Sequence, residues 1–299
     1  MKTDYTKYIQ IRDGEDNLIP WEYNEFPDGQ VQAKVRRDIF PENIEEHKED
    51  EEGKYRVGSW RMYASIPNPV VLDLYNQLTL IVDMWAEHNI LYCYGARCDK
   101  SETETYFVCP VAAVFLDNIS KYSRWNREGV NVEKMKLLAP HCHKLINEEY
   151  VPTLKTDYSI PDSINLGDWD LVVFPDESAY ERFGRSIGEM PYVVCEKHRN
   201  QDDGSIIEHK IPSFPPTVKR VIVVDDLCDY GTSFVNIGKI IPTGVIVDLF
   251  VVHGVFTENA PIRLIEYFDN IYVTNSLPHV VDMVDLVPEG RLVVFDVWG

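Results

Sequence analysis

Residues 221–234 confine the fold of this chain more than any other stretch. Val221-Ile222-Val223-Val224 are four consecutive β-branched residues with no polar side to offer to water, so they predict a strand buried on both faces. Two adjacent carboxylates, Asp225 and Asp226, stand at its end, and Asp229-Tyr230-Gly231-Thr232-Ser233 then turns the chain into a helix expected over Ser233–Ile241. Such a strand belongs in a parallel sheet covered by helices on both faces, where ligands gather at the carboxyl ends of the strands. The turn's amides and hydroxyls can cradle a phosphate at the positive end of the helix. The paired carboxylates can accept from vicinal sugar hydroxyls or hold a metal ion through water. The plainer alternative is that Asp225 and Asp226 cap the helix.

The same alternation runs through the second half of the chain. Trp169–Phe174 predicts a buried strand, followed by Pro175-Asp176-Glu177-Ser178 and a helix through residue 190. Tyr192–Cys195, Val245–Val252, Asn270–Thr274 and Leu292–Val294 predict further strands, and 196–210 a polar, Gly-containing segment. In the first half, Tyr8–Arg12, Trp21–Tyr23 and Gln30–Val35 read as strands, the last fed by a Phe26-Pro27-Asp28-Gly29 turn. Val71, Leu74, Leu78, Ile81 and Trp85 recur at helical spacing and predict a helix over about 70–88, with a strand over Ile90–Tyr94 after it. A further helix is expected over 108–122, with a charged connection over 121–135. The expected architecture is α/β: two domains, residues 1–150 and 151–299, each a mainly parallel sheet flanked by helices.

Charge narrows the function classes. With 49 acidic against 29 basic residues the formal charge is -20, which excludes a bulk nucleic-acid binder. Seven of the carboxylates fall between Glu42 and Glu52 and read as a solvated surface insertion. An anionic substrate must therefore be held by local devices: a helix N-terminus, a backbone nest, a metal ion or a few placed cations. No apolar run reaches the roughly 18–20 residues of a membrane span, and Met1–Asn17 lacks the apolar core of a secretory signal. The cysteines, Cys93, Cys98, Cys109, Cys142, Cys195 and Cys228, form no CxxC pair and read as reduced, mostly buried thiols of a cytoplasmic protein. A zinc site around Cys93 and Cys98 lacks ligand spacing.

The 221–234 segment resembles the phosphoribosyl-pyrophosphate loop of the type I phosphoribosyltransferase superfamily, and further segments resemble the ribose-phosphate pyrophosphokinase family in the same order. Phe26-Pro27-Asp28-Gly29-Gln30 is similar to the family's Phe-x-Asp-Gly-Glu turn, and Asn68-Pro69-Val70 to its Asn-plus-helix segment. Tyr94-Gly95-Ala96-Arg97-Cys98-Asp99-Lys100 is similar to its Tyr-x-Arg-Gln-Asp-Arg nucleotide motif. Pro140-His141 resembles the segment that supplies a histidine to ATP-bound magnesium, with His143 a competing candidate. Phe174 to Arg182 resembles the Pro-Asp-x-Gly-x-x-x-Arg element, and Glu196-Lys197-His198-Arg199 the start of the catalytic flexible loop.

The resemblance implies two phosphoribosyltransferase-like domains, an N-terminal one binding ATP and a C-terminal one binding ribose phosphate, with the active site between them. It implies Mg²⁺-dependent transfer of the β,γ-diphosphoryl group of ATP to an anomeric hydroxyl. Lys197, Arg199, Asp225 and Asp226 would be catalytic; Phe26, Asp28, Gln30, Arg97 and Asp99 would bind ATP. Asp225, Asp226, Asp229, Tyr230, Gly231, Thr232 and Ser233 would bind the ribose phosphate, and His141 and Asp176 the metal. It also implies a homo-oligomer, because the Phe26 turn usually contributes across a subunit boundary. The acceptor is open between ribose 5-phosphate and ADP-ribose, on which some virus-encoded relatives act in NAD synthesis and salvage; such a chain would work in the host cytoplasm. Departures from the pattern bear on this choice: Gln30 for Glu, Cys98 for Gln, Glu177-Ser178-Ala179 for a Gly-rich stretch, and Tyr230 for a small residue. Two other classes remain. A phosphoribosyltransferase would share Asp225–Ser233 and release no AMP, and a regulatory relative would keep the fold without the chemistry.

Overall fold

The computed structural model describes residues 3–27, 29–36, 60–82, 86–93, 135–141, 154–199 and 206–298. The acidic insertion, the helix expected over 108–122 and the connection over 121–135 lie outside the described residues. The chain divides into two units, one up to Asp157 and one from Tyr158.

The first unit is built on a five-stranded sheet. β1 (Ile9–Arg12) runs antiparallel to β4 (Trp60–Ile66); β4, β5 (Ala86–Cys93), β6 (Met135–Leu138) and β7 (Leu154–Asp157) are then parallel, in the order β1-β4-β5-β6-β7. A hairpin of β2 (Trp21–Glu25) and β3 (Val31–Val35) stands apart from that sheet. Its turn closes through Phe26 N–H to Gln30 O (2.8 Å) and Gly29 N–H to Phe26 O (2.9 Å), with Gly29 at φ 84°, where a side chain would be strained.

Helix α1 (Pro69–Val82) starts as its sequence dictates. Asn68 Oδ1 accepts from the amides of Val70 and Val71, and Pro69 occupies the first helical position, where no donor is needed. Val71, Leu74 and Leu78 are buried in the core with Ile11, Met62 and Ile66. Gln77 reaches across to the hairpin, accepting from Ala33 N and donating to Val31 O, both at 2.8 Å. The helix ends at Val82 rather than at 88, and β5 starts at Ala86. Ile81, counted in the apolar repeat, is exposed.

The second unit is a six-stranded sheet, all parallel, in the order β15-β14-β13-β12-β8-β9. These strands are β8 (Leu171–Phe174), β9 (Tyr192–Val194), β12 (Arg220–Cys228), β13 (Ile246–Gly254), β14 (Asn270–Thr274) and β15 (Leu292–Phe295). Helices α2 (Glu177–Phe183), α3 (Thr232–Ile240) and α4 (Ala260–Leu264) lie in the connections, giving the expected α/β class. Val221 to Val224 are fully buried, each worth about 1.5–3 kcal/mol relative to exposure.

Three expectations need correction here. β12 does not stop at Val224: Asp225, Leu227 and Cys228 continue to pair with Val251, His253 and Gly254 of β13, so the two carboxylates sit inside the strand. Neighbour pairing, which hydropathy does not register, extends it. Helix α2 stops at Phe183 instead of 190: Gly184, still helical in its backbone angles, donates to Tyr180 O, and Gly188 at φ 60° turns the chain on. The polar segment 196–210 contains an antiparallel hairpin of β10 (Glu196–Arg199) and β11 (Ile206–Lys210), and β11 lies against α3.

Candidate active site

The carboxyl ends of β8, β12 and β13 carry the second unit's unusual chemistry. Asp225 is 14% exposed and Asp226 1%, so two adjacent carboxylates are largely withdrawn from water. The group that makes this tolerable is Arg182 of α2. Its Nη2 lies 2.9 Å from Asp225 Oδ1 and 2.8 Å from Asp226 Oδ1, and its side chain is 4% exposed. Asp225 Oδ1 also accepts from the amide of Asp226 at 2.8 Å.

One guanidinium thus serves two carboxylates, and its Nε makes no hydrogen bond among the described residues. Burial, and then the adjacent Asp226 charge, push Asp225 up to about 8; Arg182 pulls it down, and Asp176 adds to the rise. Burial also works against the Arg182 charge, but Asp226 and Asp225 outweigh it and hold the guanidinium protonated.

Downstream, Gly231 adopts φ 79°, the left-handed conformation that glycine takes without strain, and α3 begins at Thr232. No side chain caps this helix, so Asp225 and Asp226 are not its caps, and the plainer reading of the pair is set aside. The leading amides of α3 have no intrahelical acceptor, which leaves the positive helix end to an anion. Tyr230 is 50% exposed beside this turn. Asp229 is engaged by a neighbour: Thr257 Oγ1 donates to its Oδ1.

Asp176 sits after β8 and caps α2, its Oδ1 accepting from Ala179 N at 3.0 Å. Phe26 is 43% exposed at the hairpin turn of the first unit, where Gln30 is also exposed, and His141 follows β6 in that unit. The backbone of Lys197 and Arg199 is extended in β10, with a register shift between His198 and Arg199 that interrupts simple alternation. Asp28, Arg97 and Asp99 lie outside the described residues, as do the side chains of Lys197 and Arg199.

Among the described residues no three His, Cys, Asp or Glu side chains gather as a metal cage. Magnesium asks for less: it keeps several waters and takes one or two carboxylates plus substrate phosphates. The hard oxygen donors of Asp225, Asp226 and Asp176 at neighbouring strand ends fit that requirement. The buried thiols do not compete as nucleophiles, since burial, then Asp176, pushes Cys195 up to about 12, and burial raises Cys228 as well.

No protein-family model matches the chain. Among curated proteins, it is 28% identical over 157 residues to "Ribose-phosphate pyrophosphokinase 3, mitochondrial" of Spinacia oleracea, covering 49% of this chain and 37% of that protein. It is 32% identical over 133 residues to the ribose-phosphate pyrophosphokinase of Thermococcus kodakarensis, covering 42% of this chain and 45% of that one. Over these parts the chain is similar in sequence to ribose-phosphate pyrophosphokinases. The matches span less than half the length of these two curated relatives. A crystal structure of phosphoribosylpyrophosphate synthetase from Mycobacterium smegmatis superposes with a TM-score of 0.63 at 17% identity, covering 95% of this chain and 88% of that one. The phosphoribosyltransferase-like fold is therefore shared along nearly the whole chain, while sequence likeness is confined to part of it.

Arg182 is the site residue to which sequence reasoning assigned no role, although it closes the element beginning at Pro175. The signal was present: Ala179, Arg182 and Phe183 are spaced i, i+3, i+4 on one helical face, and all three are buried. Thr257 left no comparable mark.

Proposed function

We propose that this chain is a Mg²⁺-dependent diphosphokinase that moves the β,γ-diphosphoryl group of ATP to the anomeric 1-hydroxyl of a 5-phosphorylated ribose and releases AMP. The observation that carries this reading is the pairing of a buried, arginine-clamped Asp225–Asp226 with an uncapped helix N-terminus seven residues on, in a chain similar over part of its length to ribose-phosphate pyrophosphokinases. In this reading the carboxylates accept from the ribose hydroxyls and the Gly231–Ser233 amides hold the 5-phosphate. Lys197 and Arg199 stabilise charge on the transferred and leaving oxygens. Phe26, Asp28, Gln30, Arg97 and Asp99 hold ATP, and His141 and Asp176 its metal. Magnesium would neutralise the phosphates. The chain's own residues supply positioning, which is the main demand of a loose phosphoryl-transfer transition state. The N-terminal domain would be the ATP-binding one and the C-terminal the ribose-phosphate one, in a cytoplasmic homo-oligomer.

ADP-ribose is the acceptor that the exposed ring of Tyr230 favours, because an aromatic face beside the 5-phosphate offers a stacking partner to a second nucleobase. The product would be ADP-ribose pyrophosphate, on a route to NAD; with ribose 5-phosphate it would be phosphoribosyl pyrophosphate. The test is incubation with ATP, Mg²⁺ and each sugar, following AMP and the new anomeric diphosphate by mass spectrometry. Turnover of ribose 5-phosphate alone would reject the ADP-ribose assignment. Base-dependent consumption of phosphoribosyl pyrophosphate without AMP would reject the diphosphokinase in favour of a phosphoribosyltransferase. Activity that survives EDTA would reject the metal.

A further inference from the structure

Immediately after β13 the backbone does something unusual. Phe256, Glu258 and Asn259 have φ of 51°, 53° and 54°, the left-handed region that residues other than glycine seldom occupy. A bulky ring there is an outlier, and three such residues within four persist only where surrounding contacts over-determine them. Those contacts run to one place. Phe256, itself buried, donates its amide to Cys228 O at 3.1 Å. Thr257 Oγ1 donates to Asp229 Oδ1. Arg263 of α4 donates from Nη1 to Glu258 O (3.1 Å), and from Nη2 to Tyr230 O (2.9 Å) and, more weakly, Thr257 O (3.5 Å). The buried side chain of Leu264 comes within 3.2 Å of where a Cβ on Gly231 would stand. The segment 256–264 therefore grips residues 228, 229, 230 and 231 in succession.

We propose that Thr257 and Arg263 are positioning residues for the acceptor's phosphate, holding the 229–231 loop in its anion-receiving form with the Asp229 carboxylate tied to Thr257. The proposal rests on the acceptor reading above. Its logic is electrostatic. A carboxylate released within a loop whose amides receive a phosphate would repel that phosphate, so where Asp229 is held matters more than whether it is present. Arg263 ties down the Tyr230 carbonyl and, through its other nitrogen, the Glu258 carbonyl, so the loop and the segment after β13 are held together.

The variants are Thr257→Val, Thr257→Ser, Arg263→Gln and the double variant Asp229→Asn with Thr257→Val, each checked for folding by thermal melting. Calorimetry reads binding of ribose 5-phosphate, ADP-ribose and inorganic phosphate; steady-state assays separate acceptor KM, ATP KM and kcat. Thr257→Val and Arg263→Gln are expected to weaken acceptor binding about tenfold with ATP KM unchanged, Thr257→Ser to restore it, and the double variant to lose less than Thr257→Val alone. Folded Thr257→Val and Arg263→Gln proteins that bind the acceptors like the parent would overturn the proposal. A uniform fall in melting temperature, kcat and ATP affinity that Thr257→Ser does not rescue would overturn it too, as a purely structural role. A parent that releases no AMP but binds inorganic phosphate in a Thr257-dependent way would reject the function and keep the positioning. A parent that binds none of the three would reject both.

Discussion

The two ends of the second unit's parallel sheet treat buried charge in opposite ways. At the amino end, Asp248 is fully buried and accepts four hydrogen bonds from three residues: Trp169 Nε1 (2.8 Å), Arg220 Nε and Nη2 (3.0 and 2.8 Å) and Asn270 Nδ2 (2.8 Å). The Arg220 guanidinium also lies over the Trp169 ring, 4.8 Å from its centroid. At the carboxyl end the ratio inverts, and one nitrogen, Arg182 Nη2, serves both Asp225 and Asp226. A carboxylate with more donors than it needs is a fastening. Two adjacent carboxylates held by one guanidinium nitrogen and, at Asp225, by the Asp226 amide form a like-charge pair suited to meeting a substrate hydroxyl or a hydrated cation. The contrast assigns stability to one end of the sheet and chemistry to the other.

The largest expected effect separates those roles. Asp248→Ala leaves Trp169 Nε1, Asn270 Nδ2 and the partly exposed Arg220 guanidinium without their shared acceptor, so it should cost about 3–5 kcal/mol in urea denaturation while turnover per folded molecule holds. Asp225→Asn keeps an Oδ1 for Arg182 and for the Asp226 amide and removes a repelling charge. It should leave the fold at least as stable at pH 8 and cut turnover by about a hundredfold or more. An Asp225→Asn protein that keeps its activity, or an Asp248→Ala protein that keeps its stability, would break the comparison.

Next in size is a dependence on pH. Asp225 is raised from 3.8 to about 8 by burial and then by Asp226, so across that window the folded state holds this proton more tightly than the unfolded chain. The contribution to stability is present below 3.8 and is lost as pH climbs through about 8. The unliganded protein should therefore melt at a lower temperature near pH 8 than near pH 5, and Asp225→Asn should flatten that slope. Equal slopes in the two proteins would place the charge penalty elsewhere.

The strands were more legible in the sequence than the polar contacts at either end, and the reason is physical. A strand buried on both faces must be apolar throughout, so Val221–Val224 and Leu171–Phe174 declare themselves from composition alone. The helix expected to run to 190 and the strand expected to stop at Val224 failed for related reasons. A glycine stop weighs little in a helical pattern, and two aspartates weigh heavily against a strand, yet pairing with β13 carries β12 on to Cys228. The turn and helix after Gly231 were readable because a left-handed glycine and a helix start both have residue signatures. Arg182 was not, since an arginine in a polar helix usually faces water and only its spacing from Ala179 and Phe183 says otherwise. The left-handed run at Phe256, Glu258 and Asn259 has no sequence signature at all, because bonds to residues distant in the chain, Phe256 N–H to Cys228 O and Thr257 Oγ1 to Asp229 Oδ1, hold it.

The smallest effect tests whether the amino end is as redundant as its hydrogen bonds suggest. Trp169→Phe removes the Nε1 donor to Asp248 and trims a buried indole to a smaller ring, which still packs edge-on to Tyr272, now at 5.8 Å, and lies under Arg220. Asp248 keeps both Arg220 bonds and Asn270, so no charge is stranded, and the lost bond and ring volume together should cost about 1–2 kcal/mol in urea denaturation with an unchanged m value. Acceptor KM should not move, because nothing at this end touches the 229–233 loop. A loss approaching that of Asp248→Ala would mean that the tryptophan, rather than a surplus of donors, holds the buried carboxylate. The two ends of the sheet would then be equally short of donors, and hydrogen-bond surplus would no longer explain which one carries the chemistry.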